Sequence, residues 1–123
     1  MATFLESLFA NQNELWLSAS ESHPFLTGCA DSTISDEQFN TWLVQDYLYV
    51  NSFQPFLLGI IPLSPSVADT EILASGQIAL ENELAWFKDR AKERGLQLSA
   101  SPLPTTATYK QFMETLSDHP YSI

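Results

Sequence analysis

Basic residues are few in this sequence and all come late. Lys88, Arg90, Lys92, Arg94 and Lys110 are its only Lys and Arg, against 15 Asp and Glu, for a formal net charge of −10 in 123 residues. A nucleic-acid interface needs clustered cations to release phosphate counterions, so no nucleic acid is expected as partner. An anionic membrane surface would repel the chain. Cysteine is nearly absent. A lone Cys29 cannot close an internal disulfide, and a reducing cytoplasmic compartment is the expectation. The N-terminus has no basic segment leading into a long apolar run, so no secretory signal is read. The densest apolar stretch, residues 56–63 (FLLGIIPL), falls well short of the ~20 residues that cross a bilayer. There is no GxGxxG, P-loop or GxSxG motif. Charged residues make up only 16%, below the usual ~25%, which predicts that much of the surface faces other protein.

Hydrophobic residues are 45% of the chain, enough for one globular domain of ordinary size. Periodicity predicts an all-α fold of about four helices, near 3–20, 36–61, 67–94 and 106–117, with linkers at 22–34, 62–66 and 96–105. In the first helix Phe4, Leu8, Leu15 and the Phe9/Trp16 pair recur at helical spacing. The second helix is the clearest. Ser35 and Gln38 form a capping-box pattern, and Asp36 and Glu37 suit the positive end of the helix dipole. Pro55 inside it should bend it. The third has Lys92 and Arg94 in its last turn and Gly95 just beyond. The fourth follows Pro102 and Pro104, with Thr105 or Thr106 as its cap, and stops before His119-Pro120.

Two acids stand out against this pattern. Asp46 lies mid-helix, one turn from Trp42/Leu43 and one turn from Tyr49/Val50, on an apolar face. A carboxylate there is costly unless paired, and such groups gather at functional sites. A structural acid satisfied by a Tyr hydroxyl or a distant Arg is the alternative. Glu83 shares a helical face with Gly76, Ala79, Leu80 and Phe87, so it too is read as facing inward, with Gly76 allowing a neighbouring helix to approach. A solvated edge is the plainer account. Tyr49, at i+3 from Asp46, could stack on a small heterocycle while the acid shares its proton. Tyr47 and Tyr109 also need partners for their hydroxyls. His23 and His119 each precede a proline and lack the spacing of a zinc or di-iron site, so no metal is assigned. Cys29 reads as a small apolar residue without an adjacent base.

The ordered segments His23-Pro24-Phe25-Leu26, Ser35-Asp36-Glu37-Gln38-Phe39 and Trp42-Leu43-Val44-Gln45-Asp46-Tyr47-Leu48-Tyr49-Val50 resemble the TenA/thiaminase II family. Asn82-Glu83-Leu84-Ala85-Trp86-Phe87-Lys88 looks like the branch of that family that uses a glutamate in place of its familiar cysteine. Pro104-Thr105-Thr106-Ala107-Thr108-Tyr109 resembles the stretch that ends in a site tyrosine. The resemblance implies a haem-oxygenase-like helical bundle that needs no cofactor. It implies a hydrolase of thiamin-related pyrimidines, acting on aminopyrimidine and formylaminopyrimidine breakdown products or on thiamin itself. By motif match Asp46 would bind the pyrimidine with Tyr49 and Tyr109, and Glu83 would be catalytic. A homo-oligomer is expected, as in the family.

The family's chains are longer, so the resemblance places this sequence in the N-terminal half of the bundle, within one domain spanning 1–123. The turn Asp31-Ser32-Thr33 departs from the family pattern, which often has a glycine there. A noncatalytic helical module that pairs with itself or another subunit is the competing expectation.

Overall fold

The computed structural model describes residues 1–118, and every regular element among them is helical. In chain order these are α1 (Phe4–Asn11), α2 (Asn13–Trp16), a π-turn (Leu17–Glu21), α3 (Pro24–Ala30), α4 (Asp36–Ile60), a 3₁₀ turn (Ile61–Leu63), α5 (Val67–Arg94) and α6 (Pro104–Asp118). The all-α expectation holds. The helix stop assigned to His119-Pro120 lies outside the described residues. The chain divides into two compact units, Met1–Phe39 and the residues from Asn40 onward.

In the first unit the single helix expected over 3–20 is broken. It starts with a capping box: Glu6 N–H donates to Thr3 Oγ1 at 3.2 Å and Thr3 N–H to Glu6 Oε2 at 2.7 Å. Hydrogen bonding of Thr3, its backbone N–H first and its side chain next, lowers the Glu6 carboxyl from its ordinary value. The break comes at Gln12, whose φ of −117° leaves the helical region. Further on, serine hydroxyls compete for the backbone carbonyls. Ser18 donates to Leu15 O, Ser20 to Trp16 O and Ser22 to Leu17 O, and the helix loosens into the π-turn.

The stretch 22–34, expected to be a linker, contains α3. Pro24 occupies its first position, where the missing N–H costs nothing. His23 caps it, its Nδ1 accepting from Phe25 N–H at 3.1 Å. Residue-by-residue periodicity could not find this helix, because seven residues span only two turns. Beyond it the Gly28 carbonyl accepts from Thr33 N–H (2.8 Å) and Ile34 N–H (3.2 Å), closing a turn in which Ser32 takes a left-handed φ of 57°. The expected capping box follows: Gln38 N–H donates to Ser35 Oγ and Ser35 N–H to Gln38 Oε1, both at 3.1 Å.

In the second unit the pairings fix the topology. Asn40 meets Arg94, Trp42 and Tyr47 meet Phe87, and Leu57 meets Gly76, so α4 and α5 run antiparallel. Gln45 meets Leu103 and Tyr49 meets Tyr109, so α6 follows the direction of α4. The core is one seam. It takes Leu43, Val50 and Leu57 from α4 at seven-residue steps, Leu84, Phe87 and Ala91 from α5, and Met113 from α6. Phe87 is its centre, packed against the rings of Trp42, Tyr47 and Trp86. The expected C-terminus of α5 is present. Gly95 has a φ of 65°, and Leu96 N–H reaches back to Ala91 O at 2.9 Å. The cap expected at Thr105 or Thr106 is corrected. The helix begins two residues earlier than expected, at Pro104, with Leu103 O accepting from Ala107 N–H at 2.9 Å.

Two backbone positions give opposite expectations. Ser32 holds a conformation that costs an L-residue about 1 kcal/mol or more, so Ser32→Gly should raise the melting temperature. Gly76 was read as a close-approach glycine, but an added Cβ would stand at an ordinary 3.6 Å from Leu57 Cδ2. Gly76→Ala should therefore stabilise α5 by ~0.5–1 kcal/mol. Thermal denaturation of the two variants tests both; a lowered midpoint for either refutes the corresponding reading.

Candidate functional site

Helix α4 shows two stripes. Leu43, Val50 and Leu57 are buried in the seam. Trp42, Gln45, Asp46 and Tyr49 follow i, i+3, i+4 and i+7 spacing, which sets them on one face of the helix beside that seam. These four line a pocket of about 390 Å³ together with Thr105, Thr106 and Tyr109 from the start of α6. All of these residues belong to the second unit.

The connection between α4 and α6 is a side-chain to backbone hydrogen bond. Leu103 N–H donates to Gln45 Oε1 at 2.9 Å. It fixes the residue just before Pro104, and so the first turn of α6, against the middle of α4. One turn on, the rings of Tyr49 and Tyr109 meet edge to face, with centroids 4.9 Å apart and planes at 84°. Phe53 stacks on the other side of Tyr49 at 5.9 Å, and Phe112 flanks Tyr109 at 6.3 Å.

Asp46 is half-buried among these rings. Burial pushes its carboxyl above the ordinary value of 3.8, and the negative charge of Glu83 pushes it further the same way. The Tyr49 phenol is pushed up to about 12, first by burial, then by Tyr109, with which it shares a hydrogen bond, and by the charge of Asp46. It therefore stays protonated at any physiological pH. The pocket thus combines an acid that resists ionisation with aromatic faces and short hydroxyl side chains. Such a lining can hold a flat heterocycle: the carboxyl exchanges a proton with a ring or amino nitrogen while the rings pack against its faces.

Of the residues singled out from sequence, Asp46, Tyr49 and Tyr109 come together in this pocket. Glu83 is corrected in one respect. It is exposed, not inward-facing, because the buried line of α5 runs through Gln77, Leu84, Phe87 and Ala91, and Glu83 sits a third of a turn off it. Its charge nonetheless reaches Asp46. His23 serves as a helix cap and Cys29 is exposed. Among the described residues no three His, Cys, Asp or Glu side chains cluster as metal ligands would. Gln45, Trp42, Thr105 and Thr106 were not singled out as pocket residues. The first two share the helical stripe of Asp46, which was the available signal. The threonines were read as caps.

A second pocket of about 470 Å³ lies where α4 turns into α5, lined by Ile60, Leu63, Ser64, Pro65, Asp69, Ile72 and Leu73. Its one acid is committed to the start of α5, where Ser66 Oγ donates to Asp69 Oδ2 and Asp69 N–H donates to Ser66 Oγ. The Asp46 pocket is therefore the better candidate for chemistry.

The electrostatics of Asp46 make a stability prediction. A carboxyl with a raised folded-state pKa favours the fold only while protonated. That contribution is complete below the ordinary carboxylate range and is lost as pH rises through the raised value. Asp46→Asn should thus melt higher than the native chain at neutral pH, and the gap should close in acid. Melting curves across pH check this; a lower midpoint for the variant at neutral pH contradicts it.

Residues 10–120 match the sequence pattern of the TENA/THI-4/PQQC family. A "Probable bifunctional TENA-E protein" of Glycine max is 33% identical over 110 residues, covering 85% of this chain and 48% of the relative. An "Aminopyrimidine aminohydrolase" of Helicobacter pylori is 27% identical over 113 residues, covering 86% of this chain and 51% of the relative. The X-ray structure of a TenA homologue from Pyrococcus furiosus superposes with a TM-score of 0.84 at 25% identity, covering 94% of this chain and 55% of that one. The sequence thus spans about half the length of these relatives. On the extent of the family match and the soybean relative's identity, this chain belongs to the TENA/THI-4/PQQC family.

Proposed function

We propose that this chain carries the pyrimidine-binding half of a hydrolase acting on thiamin-related pyrimidines, of the aminopyrimidine and formylaminopyrimidine salvage type. The observation that carries the reading is the pocket in which the resistant carboxyl of Asp46 stands beside the rings of Tyr49 and Tyr109. The names of the Helicobacter pylori and Halalkalibacterium halodurans relatives, both aminopyrimidine aminohydrolases, support it.

In this reading Asp46 binds the aminopyrimidine, and Tyr49 and Tyr109 pack against the heterocycle. Water is the nucleophile. With an aminomethyl substrate, the C–N bond at the exocyclic carbon breaks, water supplies the hydroxyl, and ammonia leaves with the transferred proton. With a formylamino substrate, water adds to the amide carbon and formate and amine separate. Glu83 accepts the proton from water and returns it to the leaving nitrogen. Its exposed position next to Asp46 leaves it free to meet a substrate extending out of the pocket. Neither step calls on a cofactor. The reading includes a cytoplasmic homo-oligomer; among the described residues no helix is long and apolar enough to cross a membrane.

Exposed apolar side chains on α5, Ile72 at 69% and Ile78 at 62%, favour a second reading in which the helices serve as an assembly module. Binding and turnover separate the two. Isothermal titration and product analysis with an aminopyrimidine, a formylaminopyrimidine and thiamin should show pyrimidine binding that Asp46→Asn abolishes. Glu83→Gln should keep binding and lower turnover by about 10²–10⁴-fold. Unchanged affinity in Asp46→Asn removes Asp46 from the site. Unchanged turnover in Glu83→Gln removes the catalytic role.

A further inference from the structure

Gln45 lines the pocket beside Asp46, and only one orientation of its amide suits the structure. Its partner, the backbone N–H of Leu103, is a donor, so the atom 2.9 Å away must be the carbonyl oxygen. That bond turns the Gln45 carbonyl toward Leu103 and engages one of its two lone pairs, while both N–H donors of the amide nitrogen are left for a ligand. The same bond removes the freedom of a long side chain, so the donor is held in place before any ligand arrives.

We propose that Gln45 is a specificity-determining residue, whose backbone-locked amide donates to the ring nitrogen of an aminopyrimidine while Asp46 accepts from the adjacent exocyclic amine. This deepens the pyrimidine reading above and rests on it. A donor and an acceptor from consecutive residues match the edge of a 4-aminopyrimidine, where an acceptor ring nitrogen adjoins a donor amine. The oxo counterpart, pyrimidin-4-one, presents the reverse: an acceptor oxygen beside a ring N–H. A wall with a fixed donor opposes that reversal, because one of its polar groups is left facing a like partner.

The substitution that isolates this role is Gln45→Glu. Glutamate keeps an acceptor for Leu103 N–H, so α6 stays anchored, but it has no donor to offer. A ring nitrogen that accepts from Gln45 would face a carboxylate in this variant, so Gln45→Met, which adds no charge, is measured beside it to separate loss of the donor from added repulsion. The experiment is calorimetric titration of the native chain, Gln45→Glu, Gln45→Met and Asp46→Asn with 4-aminopyrimidine and with pyrimidin-4-one, alongside thermal melts. The native chain should prefer 4-aminopyrimidine by about tenfold or more. Gln45→Glu should melt as the native chain does, bind 4-aminopyrimidine about tenfold more weakly, and lose most of the preference. Gln45→Met, which lacks the anchor as well, should melt lower and bind more weakly still. Native affinity and preference in Gln45→Glu, while Asp46→Asn abolishes binding, overturns the role of Gln45 alone. Losses in Gln45→Glu that merely follow a lowered melting temperature overturn it too, leaving only an anchor. A native chain that binds neither compound overturns both this inference and the pyrimidine reading.

Discussion

Helix α4 has to satisfy two neighbours with adjacent stripes of one sequence, and the second unit depends on how it does so. Its seven-residue repeat of Leu43, Val50 and Leu57 enters the seam with α5, where Phe87 is buried to 1% exposure. Burying a side chain of that size stabilises by roughly 1.5–3 kcal/mol, which makes the seam the main energetic tie between the two long helices. Rotated from it lie Trp42, Gln45, Asp46 and Tyr49, lining the pocket to which α6 contributes. The seam sets the rotation of α4 about its own axis, and that rotation aims the polar stripe. A change of register in the seam would move Asp46 even though Asp46 takes no part in it.

The contribution of α6 depends on fewer contacts. Among the described residues Met113 alone represents it in the buried apolar set, and the start of the helix is held by Gln45 and Leu103 and by the tyrosine pair. A hydrogen bond exposed to solvent is worth on the order of 1 kcal/mol, less than the burial that unites α4 and α5. The wall of the pocket carrying Thr105, Thr106 and Tyr109 is therefore the more easily displaced one. A ligand that touches both walls would gain from contacts to each and would tighten α6 onto α4 as it bound.

How much of this was legible in the sequence follows from where the information lies. The long helices were legible because their boundaries are local chemistry: the Ser35/Gln38 box, Gly95 after Lys92 and Arg94, and Pro62. Asp46 was legible because a carboxylate on an apolar face violates the pattern around it, with Tyr49 at i+3 beside it; Tyr109 was reached through the resemblance of the segment before it. Helix α3 was hidden because seven residues give too little period to read, and because Pro24 marks a stop as readily as a first turn. The inward-facing reading of Glu83 failed because Gly76, Ala79 and Leu80 define a face too broad to say which edge is buried; only the position of Phe87 against Trp42 and Tyr47 decides it. Gln45 shares the stripe of Asp46, but its role as an anchor could not be read. Its partner is a backbone N–H 58 residues away, and a backbone group leaves no mark in a sequence.

The two acids illustrate how placement divides labour between like groups. Asp46 is partly desolvated and Glu83 is in water, yet the charge of Glu83 acts on Asp46. Two carboxylates within reach of each other in a site of lowered dielectric resist ionising together, so the buried one retains its proton more readily. A cationic or amino-bearing heterocycle entering beside Asp46 relieves that repulsion by supplying the positive charge the pair lacks. All five Lys and Arg lie at residue 88 or later, and α4 carries none, so no cation of that helix competes for the position. Under the proposed reading, the raised Asp46 carboxyl and an α4 without Lys or Arg together favour a positively charged or proton-sharing ligand.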